Sequence, residues 1–309
     1  MVTERIINNR LLSTKGFAAQ YPFAPHYVDI GGHTLHYLDE GTGPPVLMVH
    51  GNPTWSFYFR HLVGRLSHTR RTLVPDHIGC GFSDKPDPGA YDYTLASRVQ
   101  DLDALVAQTV PEGKISLILH DWGGMIGLAW ALDHLDRVDK LVITNTAGFF
   151  LPENKRFPMM LWMIKYVHWF AVPAILGLNL FSIGALYLGA HTRLSAKTKK
   201  GLTAPYNSWK NRIATLKFVQ DIPLTQTDRS WPVVDRVDRH LARIHPEQVL
   251  FLWGAKDFVF DTRFLDAFLR RLPGARAHVF ADAGHYLFED KPDETGDLVH
   301  RFLGTGNSF

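Results

Sequence analysis

Asp121 stands in Ser116-Leu-Ile-Leu-His-Asp-Trp-Gly-Gly-Met125, where an apolar, leucine-rich run meets a glycine pair and then a helix-like stretch. The pattern predicts a strand, a sharp turn and a helix, with a carboxylate at the apex. A carboxylate in that place can attack an sp³ carbon directly and form an alkyl ester, whereas a serine needs a base and prefers a carbonyl. Two further groups follow: Asp257 in Trp253-Gly-Ala-Lys-Asp-Phe258 and His285 in Asp282-Ala-Gly-His-Tyr286, each behind an apolar run. Histidine can take a proton from water for attack on the ester carbonyl, while a carboxylate on its other ring nitrogen fixes the tautomer and stabilises the imidazolium. Taken singly, an aspartate after a strand is usually a cap or turn residue, as Asp261 and Asp282 are expected to be, and His285 reads equally well as a helix-start residue. The order nucleophile, acid, base is what lifts the three together.

The elements that must position these groups are legible as apolar runs at His26 to Ile30, Thr34 to Leu38, Pro45 to His50, Arg71 to Pro75, Lys114 to His120 and Lys140 to Asn145. Helical spacing appears at Tyr93 to Val110, through Leu95, Val99, Leu102, Leu105 and Val106, and at Met125 to Leu135. The rhythm stops near Gly148 and resumes with a strand at Gln248 to Trp253, a helix at Thr262 to Leu272, a strand at Ala277 to Phe280 and a last helix to Leu303. An interval that long is not a loop. The expected architecture is an α/β-hydrolase fold: a mostly parallel central sheet flanked by helices, opened by a hairpin at Gly31-Gly32, with an inserted helical cap. Residues 1–148 and 230–309 are assigned to the core and residues 149–229 to the cap. In this fold the reactive side chain sits at the apex of a strained strand-to-helix turn, and triad partners follow in the chain order seen here.

The 309 residues are 46% hydrophobic and 20% charged, enough for a substantial core. The 33 basic and 30 acidic residues are dispersed without a dense cationic block, which argues against a nucleic-acid partner. A lone cysteine, Cys80, excludes an internal disulfide, and no Cys pair or His-Glu-x-x-His pattern suggests a metal. Neither a dinucleotide nor a Walker-type phosphate loop is present, so no cofactor is expected. Residues 1–20 lack the apolar centre of a signal peptide, making cytoplasmic residence the default. Tyr166 to Ala190 contains no Asp, Glu, Lys or Arg, but Pro173, Gly177, Asn179 and Gly184 interrupt it. This stretch reads as cap helices roofing a dry pocket rather than a membrane span, and it leaves self-association or peripheral membrane contact open.

His50-Gly-Asn-Pro-Thr-Trp55 follows the third run, where the α/β-hydrolase scheme puts the loop that donates an oxyanion-hole N–H. The N–H groups of Asn52 and Trp122 are expected to face the ester carbonyl of Asp121. The Asn52 amide and Trp122 indole add two neutral side-chain donors suited to a departing anion, against the plainer reading of a turn residue and core packing. Together with Pro75-Asp-His-Ile-Gly-Cys-Gly-Phe-Ser-Asp84, His120-Asp-Trp-Gly-Gly124 and Ala283-Gly-His285, this motif makes the chain resemble the haloalkane dehalogenases along nearly its whole length. The resemblance implies that Asp121 displaces halide, that Asn52 and Trp122 hold it, and that His285, oriented by Asp257, drives water onto the ester. It implies a hydrophobic small-molecule substrate, water and a halide ion as the partners.

Val142-Ile-Thr-Asn-Thr146 carries no carboxylate where one dehalogenase subfamily places its glutamate, so Asp257 must serve as the acid. With Ala204-Pro-Tyr-Asn-Ser-Trp209 and Phe218-Val-Gln-Asp-Ile-Pro-Leu224, this resembles the third dehalogenase subfamily. That branch is also similar to the β-lactone decarboxylases of long-chain olefin biosynthesis, which imply the same three groups acting on a strained ring. Halide is ranked first as leaving group and the cis-3,4-dialkyl β-lactone second. An epoxide hydrolase using cap tyrosines Tyr166, Tyr187 or Tyr206, and a non-catalytic membrane-associated scaffold, are further alternatives.

Overall fold

The computed structural model describes residues 1–304. Its strands are β1 (Glu4–Ile7), β2 (Arg10–Ser13), β3 (His26–Ile30), β4 (His33–Glu40), β5 (Pro45–Val49), β6 (Arg71–Pro75), β7 (Ile115–His120), β8 (Val138–Thr144), β9 (Val249–Gly254) and β10 (Arg276–Phe280). Eight of them form one sheet in the order β10-β9-β8-β7-β5-β6-β4-β3. Within this sheet only the β3–β4 and β4–β6 pairings are antiparallel. This is an α/β-hydrolase fold with a mostly parallel sheet.

Strands β7 and β9 are buried at every position. Helices cover both faces, which is why these strands read as continuous apolar runs rather than as an alternation. The N-terminal β1–β2 hairpin, pairing Glu4 with Ser13 through Ile7 with Arg10, was not anticipated; its apolar residues fall in two adjacent pairs, Ile6-Ile7 and Leu11-Leu12, without alternation and over too short a span to stand out.

Helix Trp122–Asp133 leaves β7 at an angle that brings it close to β5. A Cβ on Gly123 would stand 2.0 Å from the Val49 carbonyl oxygen, so the crossing requires glycine. The turn holds Asp121 at φ 52°, a strained conformation for a side-chain-bearing residue. Strain here has a purpose: it lifts the carboxylate off the end of the sheet.

Between β8 and β9 lies a helical segment that includes helices Met159–Tyr166, His168–Val172, Leu180–Leu188, Ala196–Thr203 and Ile213–Gln220. Leu161, Ile164, Ala171, Ile175 and Leu176 pack on Leu216 and Val219, giving this layer a small core of its own. Helix Trp231–His240, by contrast, packs Val234 and Val237 into the main core beside the elbow helix. Among the described residues no single helix is long and apolar enough to cross a membrane; Met159–Tyr166 and His168–Gly177 meet the composition only jointly and are bent by 98°.

Candidate active site

The end of β7, the loop after β5, the loop after β9 and the loop after β10 converge under the helical insert. A cavity of about 260 Å³ lies there, with Asn52, Asp121, Trp122 and His285 among its few polar lining residues. Leu161, Ile175, Phe181, Val219 and Leu224 from the insert, Met125 and Phe260 from the core, and Phe149 from the segment after β8 make the rest of the wall apolar.

Asp121 is 7% exposed, and its Oδ2 accepts a hydrogen bond of 2.7 Å from the backbone N–H of Asn52. The loop can come this near because residue 51 is glycine: a Cβ there would sit 2.2 Å from the same oxygen. Burial pushes the Asp121 carboxyl up to about 6, against the pull of the His285 charge and of the Asn52 and Trp122 N–H groups. The resting carboxylate therefore occupies the donors that an ester oxygen would need later.

His285 donates from Nδ1 to Asp257 Oδ2 at 2.7 Å. Burial works against a charge on the imidazole, but Asp257 and then Asp121 outweigh it and hold its pKa above the ordinary histidine value. The other oxygen of Asp257 accepts from the N–H groups of Val259 (2.7 Å) and Phe260 (3.1 Å), so the carboxylate is fixed on both sides. The ring of His285 lies between Phe260 and His120, at centroid distances of 5.9 and 4.7 Å. His120 is itself kept neutral, first by burial and then by the proximity of His285.

Asn52 differs in part from expectation. Its Nδ2 donates to the carbonyl of Thr215 in helix Ile213–Gln220 at 3.0 Å, leaving one amide N–H for a ligand, and its Oδ1 is buried without a partner. The side chain thus ties the loop after β5 to the insert as well as facing the cavity. Trp122 lines the cavity with its ring against Phe218 at 5.2 Å. Behind Phe218 stands the fully buried Arg98, its guanidinium 3.7 Å from the ring centroid. None of Tyr166, Tyr187 and Tyr206 lines the cavity; Tyr206 donates to the Thr54 carbonyl at 3.3 Å, and Tyr166 and Tyr187 are exposed on the outside.

Two positioning residues escaped sequence reasoning. Asn145, noted only for not being a carboxylate, donates to Asp257 Oδ2 at 3.1 Å and to the Gly254 carbonyl at 3.0 Å, and accepts from Gly254 N–H at 2.8 Å. It orients the acid instead of replacing it. Asn145→Ala is expected to lower unfolding free energy by about 2–4 kcal/mol in a urea titration, since it removes one donor from the buried Asp257 carboxylate and leaves the Gly254 N–H and carbonyl without their side-chain partner. Asp290 accepts from the N–H groups of Gly284 (2.7 Å), His191 (2.9 Å) and Thr192 (2.7 Å), joining the histidine loop to the insert. Nothing in Leu287-Phe-Glu-Asp290 distinguishes that carboxylate from a solvated one. The motif carboxylate Asp76 is likewise structural: it accepts from Ser56 N–H, His36 Nδ1 and Phe82 N–H and is held well below the usual carboxylate range; burial works against this, and the His36 contact outweighs it.

The α/β-hydrolase fold family matches residues 44–292. The chain is 45% identical over 283 residues to a cis-3-alkyl-4-alkyloxetan-2-one decarboxylase of Shewanella oneidensis, covering 91% of this chain and 89% of that protein. It is 45% identical over 294 residues to a protein of the same name from Xanthomonas campestris, covering 92% and 97%. A haloalkane dehalogenase of Mycolicibacterium paratuberculosis is 30% identical over 291 residues, covering 90% and 92%. Among solved structures, a haloalkane dehalogenase from Bradyrhizobium elkani superposes with a TM-score of 0.81 at 23% identity, over 91% of this chain and 98% of that one.

Proposed function

Because the chain belongs to the α/β-hydrolase family, within the group that includes the haloalkane dehalogenases, we propose that its reaction is the decarboxylation of a cis-3-alkyl-4-alkyloxetan-2-one. The observation that carries this is the 45% identity, over nine-tenths of the chain, to two proteins of that name, against 30% to the dehalogenase. The motif-based ranking, which put halide first, is thereby reversed.

An oxygen of Asp121 attacks ring carbon C4 with inversion and displaces the ring oxygen, giving an alkyl ester and a free carboxylate on C3. The C3–carboxylate bond then breaks, its electrons form the C3–C4 double bond, and the C4–O bond to Asp121 breaks. Carbon dioxide, an alkene and the original carboxylate result. No water is consumed and no proton is transferred. Inversion followed by anti elimination keeps both alkyl groups on one side, so a cis ring yields a cis alkene.

The surroundings suit each step. The remaining amide N–H of Asn52 and the indole N–H of Trp122 are neutral donors for the leaving carboxylate. His285, whose pKa is held above the ordinary histidine value, adds a positive charge near it when protonated, and apolar walls favour loss of carbon dioxide by denying the carboxylate water. The apolar cavity accepts two alkyl chains.

The test is parallel turnover of a cis-dialkyl β-lactone and a 1-bromoalkane, following alkene and bromide. Alkene with little bromide is the expected outcome; bromide with no alkene would restore the dehalogenase reading, which Asn52 and Trp122 also suit. The pH profile separates the two independently. In both, kcat/KM rises as Asp121 ionises, with a midpoint near pH 6. Alkene formation is expected to fall again as His285 loses its proton above its raised pKa. Bromoalkane hydrolysis needs the neutral imidazole as base and should not show that alkaline fall.

A further inference from the structure

The outer face of the helical insert is an exposed apolar surface that the proposed reaction does not use. Trp169 is 82% exposed, Leu178 67% and Tyr187 66%, and Met159, Trp162 and Ile183 are exposed on the same run of short helices between Met159 and Leu188. The opposite faces of these helices are already buried in the insert's own core, so they are apolar on both sides. A monomer in water rarely presents so many large apolar side chains together. Met160, Leu180 and Leu188 are exposed and also line the cavity, so the cavity reaches the surface through this face.

Charge indicates what covers it. From Asn154 to Gln220 the sequence has ten lysines and arginines and no aspartate or glutamate. Lys155, Lys165 and Lys210 are paired with Asp261, Asp228 and Asp87, and the other seven have no carboxylate partner among the described residues. Cations border the apolar residues directly: Lys199 Nζ lies 4.2 Å over the Tyr187 ring, and Arg212 donates to the carbonyls of Leu176 and Gly177 next to Leu178. A second copy packed on this face by a two-fold axis would set the same cations against one another. An anionic bilayer meets both features, with apolar and aromatic side chains entering the interface and cations reaching lipid phosphates. The 98° bend between the first two helices suits elements lying along a surface rather than crossing it.

We infer that this face docks on an anionic lipid bilayer and opens the cavity mouth toward the acyl region, from which a dialkyl substrate enters. Only the identity of that substrate rests on the decarboxylase reading; the docking does not.

The test is flotation with vesicles of phosphatidylcholine containing about one third phosphatidylglycerol, and with phosphatidylcholine alone. Wild-type protein is expected to float with the anionic vesicles, and less so at high salt or on the neutral ones. The double variant Trp169→Glu/Leu178→Glu, at positions outside the cavity lining, should reduce the vesicle-bound fraction at least about tenfold. Lys197→Glu/Lys199→Glu should weaken it on anionic vesicles only. Unchanged thermal unfolding would show that both variants fold, whatever the reaction proves to be. Absence of flotation by the wild type, flotation indifferent to both variants, or a wild-type dimer that Trp169→Glu/Leu178→Glu converts to monomer, would each overturn the inference, the last in favour of self-association.

Discussion

Asp121→Asn is expected to eliminate alkene formation, by on the order of 10⁴-fold or more in kcat, because no other carboxylate lines the cavity to supply the attacking oxygen. The same substitution should stabilise the fold. The carboxyl of Asp121 is raised from 3.8 to about 6 in the native protein, chiefly by burial. The native state therefore holds that proton more tightly than the unfolded chain does. Its contribution to stability is greatest below pH 4 and is lost as pH rises through about 6. Asparagine keeps an acceptor for the Asn52 N–H and carries no charge, so the variant should gain about 1–3 kcal/mol over wild type at pH 8, and little at pH 4. Urea titrations at the two pH values, beside the turnover assay, measure both effects. An inactive variant that is also destabilised at pH 8 would mean a damaged turn rather than a missing nucleophile.

His285→Gln separates the two chemistries. If a bromoalkane is turned over, the ester on Asp121 can form without His285 but cannot be hydrolysed, and intact-protein mass spectrometry should show one alkyl group added per chain. If the lactone reacts as proposed, the intermediate collapses by losing carbon dioxide and needs no water, so no adduct should build up. The rate should nevertheless fall by about 10²–10³-fold, because the positive charge beside the leaving carboxylate is gone. Accumulation of a lactone-derived adduct on Asp121 would show that His285 takes part in the second step, contrary to the mechanism above.

Much of this arrangement was legible because it depends on local rules. β3 and β6 fall on the apolar runs His26–Ile30 and Arg71–Pro75 without a shift, and the elbow is readable because Gly123 has to be glycine for the helix to cross β5. Asp121, His285 and Asp257 could be singled out since their order along the chain follows from the order in which strands join the sheet. What could not be read depends on contacts across the fold. Asn145 earns its place only when β8 lies beside β9, and Asp290 only when the insert folds back to the histidine loop. Asn52 was read as facing the ligand alone, because its bond to Thr215 spans 163 residues and has no local signature. The choice of leaving group was least legible of all: halide and carboxylate ask the same two donors for the same service, and whole-chain similarity was needed to rank them.

The most direct test is turnover of a cis-3-alkyl-4-alkyloxetan-2-one in ¹⁸O-water, with analysis of the product and of the Asp121 peptide. The account predicts a cis alkene, and an Asp121 carboxylate without label after many turnovers, because water never attacks the ester. A β-hydroxy acid carrying ¹⁸O, or label accumulating in Asp121, would contradict it and make the enzyme a hydrolase of the ring rather than a decarboxylase.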